Sequence, residues 1–220
     1  MAVKARVAIV LCLMLACAVS AHAIKYSLLE GSTLGPQDLA QLMKQGEMLM
    51  TKETPDGRLD LITSGIIINA PPEQVLAAIS DFENYPKFMP STVAVKVLSQ
   101  EGDVRHVWFH IKFTFVKPIS YTVKYTLVQH LVPGKGYWWE LESGDLNKAI
   151  GSWEVIPLDG GKRSAAIYSI YTDIRSISKI IAYFIDKEPG MDVAINASTC
   201  VLVLRTIRAR VETGAYAGKK

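Results

Sequence analysis

Residues 92–174 constrain the fold most, because apolar and polar side chains alternate there in segments that turn residues separate. A period of two is typical of strands with one buried face. The segments lie at 92–99, 103–116, 118–131, 136–142, 150–157 and 163–174. Together with a seventh strand at 58–69, they predict a curved antiparallel sheet whose apolar face needs a cover.

The segment 176–211 supplies that cover, because it has a helical pattern that only Glu188-Pro189-Gly190 interrupts. We therefore expect a short helix, a break and a long C-terminal helix. The short helix carries an apolar stripe of Ile177, Ile180, Ile181, Phe184 and Ile185. One face of the long helix holds Val193, Asn196, Ala197, Cys200, Leu204, Ile207 and Val211. The predicted fold class is α+β.

Residues 24–57 are expected to extend this domain with a helix and a hairpin strand. Gly35-Pro36 begins a helix in which Leu39, Leu42 and Met43 share one stripe. Pro55-Asp56-Gly57 has the chemistry of a tight turn, so 47–54 and 58–69 should pair as a hairpin. At the other end, residues 212–220 are expected to form a flexible tail.

A resemblance to a known family rests on residues 66–90. Ile66-Ile67-Ile68 runs through Pro71-Pro72 into a short amphipathic helix, and an aromatic turn at 81–86 follows. This stretch resembles the start of START-like proteins of the polyketide cyclase/dehydrase and coenzyme Q-binding type, the SRPBCC or helix-grip superfamily. Gly151-Ser152-Trp153 is similar to a strand of the same family. For residues 58–211 the resemblance implies a curved antiparallel sheet wrapped around a long C-terminal helix, with a hydrophobic ligand cavity between them. The ligand stays open.

Aromatic side chains with polar tips recur on the sheet face that the helix would cover. In strand 103–116, Val107, Phe109, Ile111 and Phe113 share one side, and we group Arg105 with the polar positions. The candidate ligand-binding residues are Tyr85, Phe88, Phe109, Phe113, Tyr121, Tyr125, Trp139, Trp153, Asn196, Ala197 and Cys200. Small helix side chains opposite a concave sheet leave room for a ligand, and Asn196 would be its hydrogen-bonding handle. The alternative is that these residues only fill a core.

Neither catalysis nor metal binding is predicted. His106 and His110 lie on one strand, where four residues place them roughly 13 Å apart, too far for one metal ion. Cys200 is expected to be inert packing rather than a thiolate. The sequence predicts no catalytic residue, no metal site and no cofactor.

The first 23 residues have the pattern of a signal peptide. Lys4 and Arg6 precede a short apolar run, and Ala21-His22-Ala23 matches a cleavage site. The alternative is a lipoprotein site at Leu15-Ala16-Cys17, with Cys17 acylated. Cleavage after Ala23 would export the protein to the periplasm or beyond.

Cleavage also changes the composition. Removing Lys4 and Arg6 leaves 22 basic residues against 21 acidic ones, so no basic surface for nucleic acid is expected. Cys200 would be the only cysteine left, which excludes an internal disulfide. We expect no later apolar run long enough to cross a membrane.

Three functions fit these features. The first is a non-enzymatic carrier for a lipid, a quinone or another apolar molecule, with a membrane surface as a further candidate partner. The second is an enzyme of the aromatase/cyclase type, and the third is an envelope adaptor protein without a ligand. Export favours the first over the second, because polyketide chains grow on cytoplasmic carrier proteins.

Overall fold

The computed structural model describes residues 23–27, 33–116 and 119–217. The predicted signal segment lies outside the described residues, apart from Ala23, and so does the alternative lipid attachment site at Cys17.

A single antiparallel sheet of eight strands forms the body of the described chain, in the order β1-β2-β8-β7-β6-β5-β4-β3. The strands are β1 (Met48–Glu53), β2 (Leu59–Ile68), β3 (Thr92–Glu101), β4 (Val104–Val116), β5 (Ile119–Val132), β6 (Gly136–Gly144), β7 (Ala149–Leu158) and β8 (Arg163–Thr172). The helices are α1 (Pro36–Leu42), α2 (Pro72–Ser80), α3 (Tyr85–Phe88), α4 (Lys179–Lys187) and α5 (Gly190–Glu212). Short 3₁₀ turns lie at Phe82–Asn84, Asp159–Gly161 and Ile174–Ile177. The predicted α+β helix-grip architecture is confirmed.

The predicted N-terminal hairpin adds an eighth strand to the seven counted from residue 58 onward. The N-terminal hairpin strand β1 pairs with β2 and becomes one edge of the same sheet, while β3 forms the other edge. The turn that joins β1 to β2 forms as its sequence predicts: Gly57 has a φ of 75°, and its N–H donates to the carbonyl of Thr54 at 2.9 Å.

Helix α5 covers the concave face and packs mainly against β2 and β8. Its buried residues include Asn196, Cys200, Leu204, Ile207 and Val211, as the helical periodicity predicts. We expected no apolar run long enough to cross a membrane, but α5 meets that criterion by length and composition alone, with a mean hydropathy of 1.3 over an 18-residue window. Its position against the sheet is that of a core helix.

The convex face carries its own small core. Leu39 of α1 and Met43, which follows its last turn, pack against buried residues of β7 and β8: Ile156, Ala165 and Ile167. Leu42, which was expected in the same stripe, is exposed. Strand β8 is therefore covered on both faces, by α1 on one side and α5 on the other.

Helix α2 and the aromatic turn close one end of the sheet. The carbonyl of Ile79 accepts hydrogen bonds from the hydroxyls of Tyr85 (2.6 Å) and Tyr137 (2.9 Å). Beyond α5, in the stretch expected to be a tail, Tyr216 is buried, and its hydroxyl donates to Asp81 at 2.7 Å. The chain after α5 thus holds α2 against the domain.

Gly151 allows a close contact between β7 and its neighbours. A β-carbon there would lie 2.3 Å from the carbonyl oxygen of Ser169 and 2.4 Å from Cζ2 of Trp139. The close contact between the Trp139 ring and the backbone of β7 therefore requires glycine at this position.

We predict that Gly151→Ala lowers the free energy of unfolding by about 1–3 kcal/mol, because a backbone oxygen and a packed indole must move apart. Urea denaturation checks this. The matched control is Gly190→Ala, since a β-carbon there meets nothing within 4 Å and alanine favours the helix by up to about 1 kcal/mol. Equal stability of the Gly151 variant and the wild type would contradict the packing account.

Candidate functional site

A cavity of about 180 Å³ lies between the concave face of the sheet and α5. The sheet side is aromatic and aliphatic, with Phe109, Ile111, Phe113 and Tyr125, and the helix side is formed by Ile195, Asn196, Thr199, Leu202 and Val203. This outer cavity extends from β4 and β5 across to the C-terminal half of β8, where Tyr168, Ile170 and Thr172 also line it.

A second cavity of about 80 Å³ continues it inward, under α2 and the aromatic turn. Six residues line both cavities: Tyr85, Phe109, Tyr125, Tyr168, Ile170 and Thr172. The inner cavity adds Phe82, Leu127, Gln129, Tyr137, Trp139, Ala149 and Trp153. The two cavities therefore share their walls and form an outer and an inner part of one space.

The outer cavity reaches the surface beside α5 and the start of β3. Leu202 is 50 % exposed and Ser91 is also exposed, and both line this cavity. Ser91 has a φ of 58°, a left-handed conformation that is uncommon outside glycine, and its carbonyl accepts from the N–H of Lys112 at 2.8 Å. The opening thus lies where β4 holds the chain in a constrained turn.

Ring contacts fix the aromatic side chains of the wall. Phe109 stacks on Tyr125 with centroids 5.5 Å apart and ring planes 16° apart, and Trp153 lies 4.4 Å from Tyr168. Phe82 meets Phe109 edge to face at 6.1 Å. Such pairs stabilise each other beyond their buried area, so the inner wall has a defined shape.

The tyrosine hydroxyls of the wall fall into two groups. Those of Tyr85 and Tyr137 are engaged by the carbonyl of Ile79. Those of Tyr125 and Tyr168 have no hydrogen-bond partner among the described residues. Burial raises the pKa of both Tyr125 and Tyr168, which keeps these hydroxyls protonated and able to donate.

A buried arginine lies behind the inner cavity. Arg105 is only 7 % exposed, and its guanidinium carbon lies 4.5 Å from the ring centre of Phe82 and 5.3 Å from that of Tyr137. Its Nε donates to Oε1 of Gln129 at 2.9 Å, while its buried Nη2 has no hydrogen-bond partner in the described part of the chain. Burial lowers the pKa of Arg105, but an arginine stays charged in a protein.

Seven of the eleven predicted site residues line the cavities: Tyr85, Phe109, Phe113, Tyr125, Trp139, Trp153 and Asn196. The other four do not. Phe88 packs edge to face on Tyr85 and under Arg210, and Tyr121 packs with the cluster beneath α4. Cys200 is fully buried against β8, where its thiol donates to the carbonyl of Tyr168 at 3.1 Å, and Ala197 packs at the edge of the main core.

Ala197 and Cys200 do not line the cavity because of the way α5 is rotated about its own axis. The helix turns its Cys200 face onto β2 and β8, so Ile195, Thr199, Leu202 and Val203 line the cavity instead. Burial raises the pKa of the Cys200 thiol, in agreement with the expected inert packing.

Asn196 lines the outer cavity, but the protein occupies its amide. Its Oδ1 accepts from the N–H of Thr172 at 3.0 Å, and its Nδ2 donates to Oδ1 of Asp192 at 3.0 Å. The side chain therefore ties α5 to the end of β8 and is not a free handle for a ligand.

Sequence reasoning missed Tyr168, which lines both cavities, and Arg105, which lies behind the inner one. Strand β8 is buried on both faces, so its alternation is hidden and Tyr168 does not stand out. Arg105 was grouped with the polar positions of β4, which was wrong: the strand alternation places it on the same side as Val107 and Phe109. That alternation was the signal that could have found it.

Comparison with known proteins agrees with this architecture. Residues 68–191, more than half of the chain, match the family model described as polyketide cyclase / dehydrase and lipid transport. None of the functionally curated proteins matches the chain.

Three similar solved structures show the same fold at low sequence identity. A protein from Thermus thermophilus is 16 % identical with a TM-score of 0.56, covering 71 % of this chain and 99 % of its own. A STAR-related lipid transfer protein from Xanthomonas axonopodis is 12 % identical with a TM-score of 0.56, covering 76 % and 94 %. The ZhuI aromatase/cyclase from a Streptomyces species is 14 % identical with a TM-score of 0.54, covering 73 % and 98 %. Because this family model matches more than half of the chain and the described residues have the helix-grip fold, the chain belongs to the polyketide cyclase / dehydrase and lipid transport family.

Proposed function

We propose that this protein is a carrier that binds an apolar ligand in the space between the sheet and α5. The observation that carries the proposal is the continuous aromatic and aliphatic wall shared by the outer and inner cavities. Apolar concave sites with a few polar groups are the usual form of small-molecule sites. The similarity to a STAR-related lipid transfer protein supports the same class of ligand.

The chemistry of the wall supports binding rather than conversion. The titratable side chains that line the two cavities are tyrosines, and burial raises the pKa values of Tyr85, Tyr125 and Tyr168. A general base should have a pKa near the working pH, whereas these hydroxyls stay protonated. The similarity to an aromatase/cyclase keeps an enzymatic role as the second candidate.

The size of the outer cavity implies movement on binding. A space of about 180 Å³ is close to the roughly 150 Å³ that holds benzene in an engineered core, and below the roughly 300 Å³ of common ligand pockets. A longer ligand would therefore have to push α5 and the rim at Ser91 apart. We propose that the ligand-free protein rests in this contracted state.

We predict that Val203→Phe abolishes binding of the neutral fluorescent probe phenylnaphthylamine while the free energy of unfolding changes by less than about 1 kcal/mol. Val203 lines the outer cavity, so the larger ring has space to enter. Probe fluorescence and urea denaturation are measured on the same protein samples.

Cys200→Leu is the matched control on the same helix. Because Cys200 is fully buried against β8, this variant should lose about 1–3 kcal/mol of stability and still bind the probe. Wild-type protein that takes up no probe would overturn the carrier proposal. So would a Val203 variant that binds as well as the wild type.

The exposed apolar side chains of α4 support the proposal that the protein contacts a membrane surface. Ile181 and Ile185 are buried, but Ile180, Tyr183 and Phe184 are more than half exposed, so the single apolar stripe predicted for this helix was only partly right. Its buried cluster includes Ile195, which also lines the outer cavity. We propose that the exposed face of α4 rests in the lipid interface next to the ligand space.

Phe184→Ser should weaken sedimentation with phosphatidylcholine vesicles about tenfold, since a buried Phe contributes about 1.5–3 kcal/mol. Leu49→Ser, on the edge strand β1, removes a similarly exposed apolar side chain outside α4 and should leave vesicle binding unchanged. Equal effects of both substitutions would argue against a specific role of α4.

We also propose that the protein is exported and begins at Ile24. Residues just after the expected cleavage position take part in the folded domain: Lys25 and Tyr26 both bond to Glu140, at 2.5 and 2.7 Å. The intact mass of protein from the envelope fraction should match a chain that starts at Ile24. Retention of Met1, or a diacylglyceryl group on Cys17, would contradict this.

A further inference from the structure

The inner cavity has hydrogen-bond donors that the protein leaves unused. The hydroxyls of Tyr125 and Tyr168 have no partner among the described residues, and both side chains line the inner cavity. An apolar ligand that displaced water from this cavity would leave both hydroxyl donors without an acceptor, which is unfavourable. The inner end therefore suits a polar group of the ligand.

Gln129 adds further donors. It is 1 % exposed and lines the inner cavity, and its Oε1 is held by Nε of Arg105 at 2.9 Å. With the carbonyl end fixed in this way, the amide end, Nε2, is the other group that Gln129 can present. No described residue accepts a hydrogen bond from it. The inner cavity is thus lined by two hydroxyl donors and one amide donor, which an oxygen acceptor of a ligand would satisfy.

Arg105 determines the charge that this acceptor should carry. The guanidinium is nine-tenths buried and packed against the rings of Phe82 and Tyr137, and no carboxylate in the described part of the chain forms an ion pair with it. A buried charge without a counter-charge is costly, and an anion nearby would offset that cost. Because Gln129 and Tyr137 line the inner cavity, its end lies next to this charge.

We propose that the ligand is an acidic amphiphile that enters head first, with its carboxylate at Tyr125, Tyr168 and Gln129 and its apolar chain in the outer cavity. Arg105 acts from behind Gln129, by holding that amide in place and by supplying the positive charge. The apolar chain would then contact Ile111, Phe113 and Val203 towards the opening. This inference rests on the carrier function proposed above and adds the chemical class and orientation of the ligand.

The test compares octanoate with octanol, which share a chain and differ in the charge of the head group. Each is titrated against wild-type protein that holds phenylnaphthylamine, and loss of fluorescence gives its affinity. We expect octanoate to bind at least about tenfold more tightly than octanol, since hydrogen bonds to an ionised group are about twice as strong as neutral ones. If both displace the probe equally, the acidic head group is wrong and the carrier function stands. If the probe itself does not bind, both proposals fail.

Arg105→Met tests the origin of the preference. The substitution removes the buried charge together with the hydrogen bond to Gln129, and octanoate should fall to the affinity of octanol, while urea denaturation checks that the variant is folded. Lys112→Met is the control, because it removes the same charge from an exposed position on the same strand, and the preference should persist. An Arg105 variant that keeps the preference would overturn the role of Arg105.

A double variant that retains Arg105 tests the proposed orientation independently. Tyr125→Phe combined with Tyr168→Phe removes both free hydroxyls and retains the rings that shape the wall. We expect this protein to bind octanol like the wild type and octanoate several-fold more weakly. An unchanged affinity for octanoate would place the carboxylate elsewhere and contradict the proposed orientation.

Discussion

The position of α5 over the concave sheet is the constraint on which the rest of the structure depends. The helix packs closely on β2 and β8, where Cys200 reaches the carbonyl of Tyr168 and Asn196 is tied to the backbone of Thr172. A straight helix cannot fill a curved sheet over its whole width. Since α5 packs mainly on β2 and part of β8, space remains between the C-terminal half of β8 and the strands β4 and β5, and the outer cavity lies there. The same contacts that hold the core together therefore define the site.

Some of the buried polar groups around this space have hydrogen-bond partners among the described residues, and others do not. At the closed end, the carbonyl of Ile79 satisfies two tyrosine hydroxyls and holds α2 against β6. Beside Tyr137, the protein buries Arg105, which has neither a carboxylate partner nor a full set of hydrogen bonds among the described residues. Folding alone gains nothing from that arrangement, because an apolar residue of similar size would pack there at lower cost. Such a departure from good packing is expected at sites that serve a ligand.

Much of the fold could be predicted because it follows from local periodicity. The strands from 92 to 174, the break before Gly190 and the buried face of α5 were all visible in the sequence. The site was harder to predict, because it depends on how the elements are turned against each other. A helical face that contains Ala197 and Cys200 does not reveal whether it meets a cavity or a strand, and the structure turns it onto β2 and β8. Only packing in three dimensions brings Arg105, Gln129 and Phe82 together, since they come from two strands and a turn far apart in the chain.

The four tryptophans offer the most direct measurement of the central claim, that the sheet and α5 enclose an apolar ligand. Trp139 and Trp153 line the inner cavity, whereas Trp108 contacts His110 and Trp138 stacks on His130, and neither of these two lines either cavity. Indole ¹⁵N–¹H spectra recorded while octanol is titrated in report on all four positions at once. We predict that the Trp139 and Trp153 signals shift in a saturable way while those of Trp108 and Trp138 stay in place. Signals that all stay unchanged, or shifts confined to Trp108 and Trp138, would contradict it.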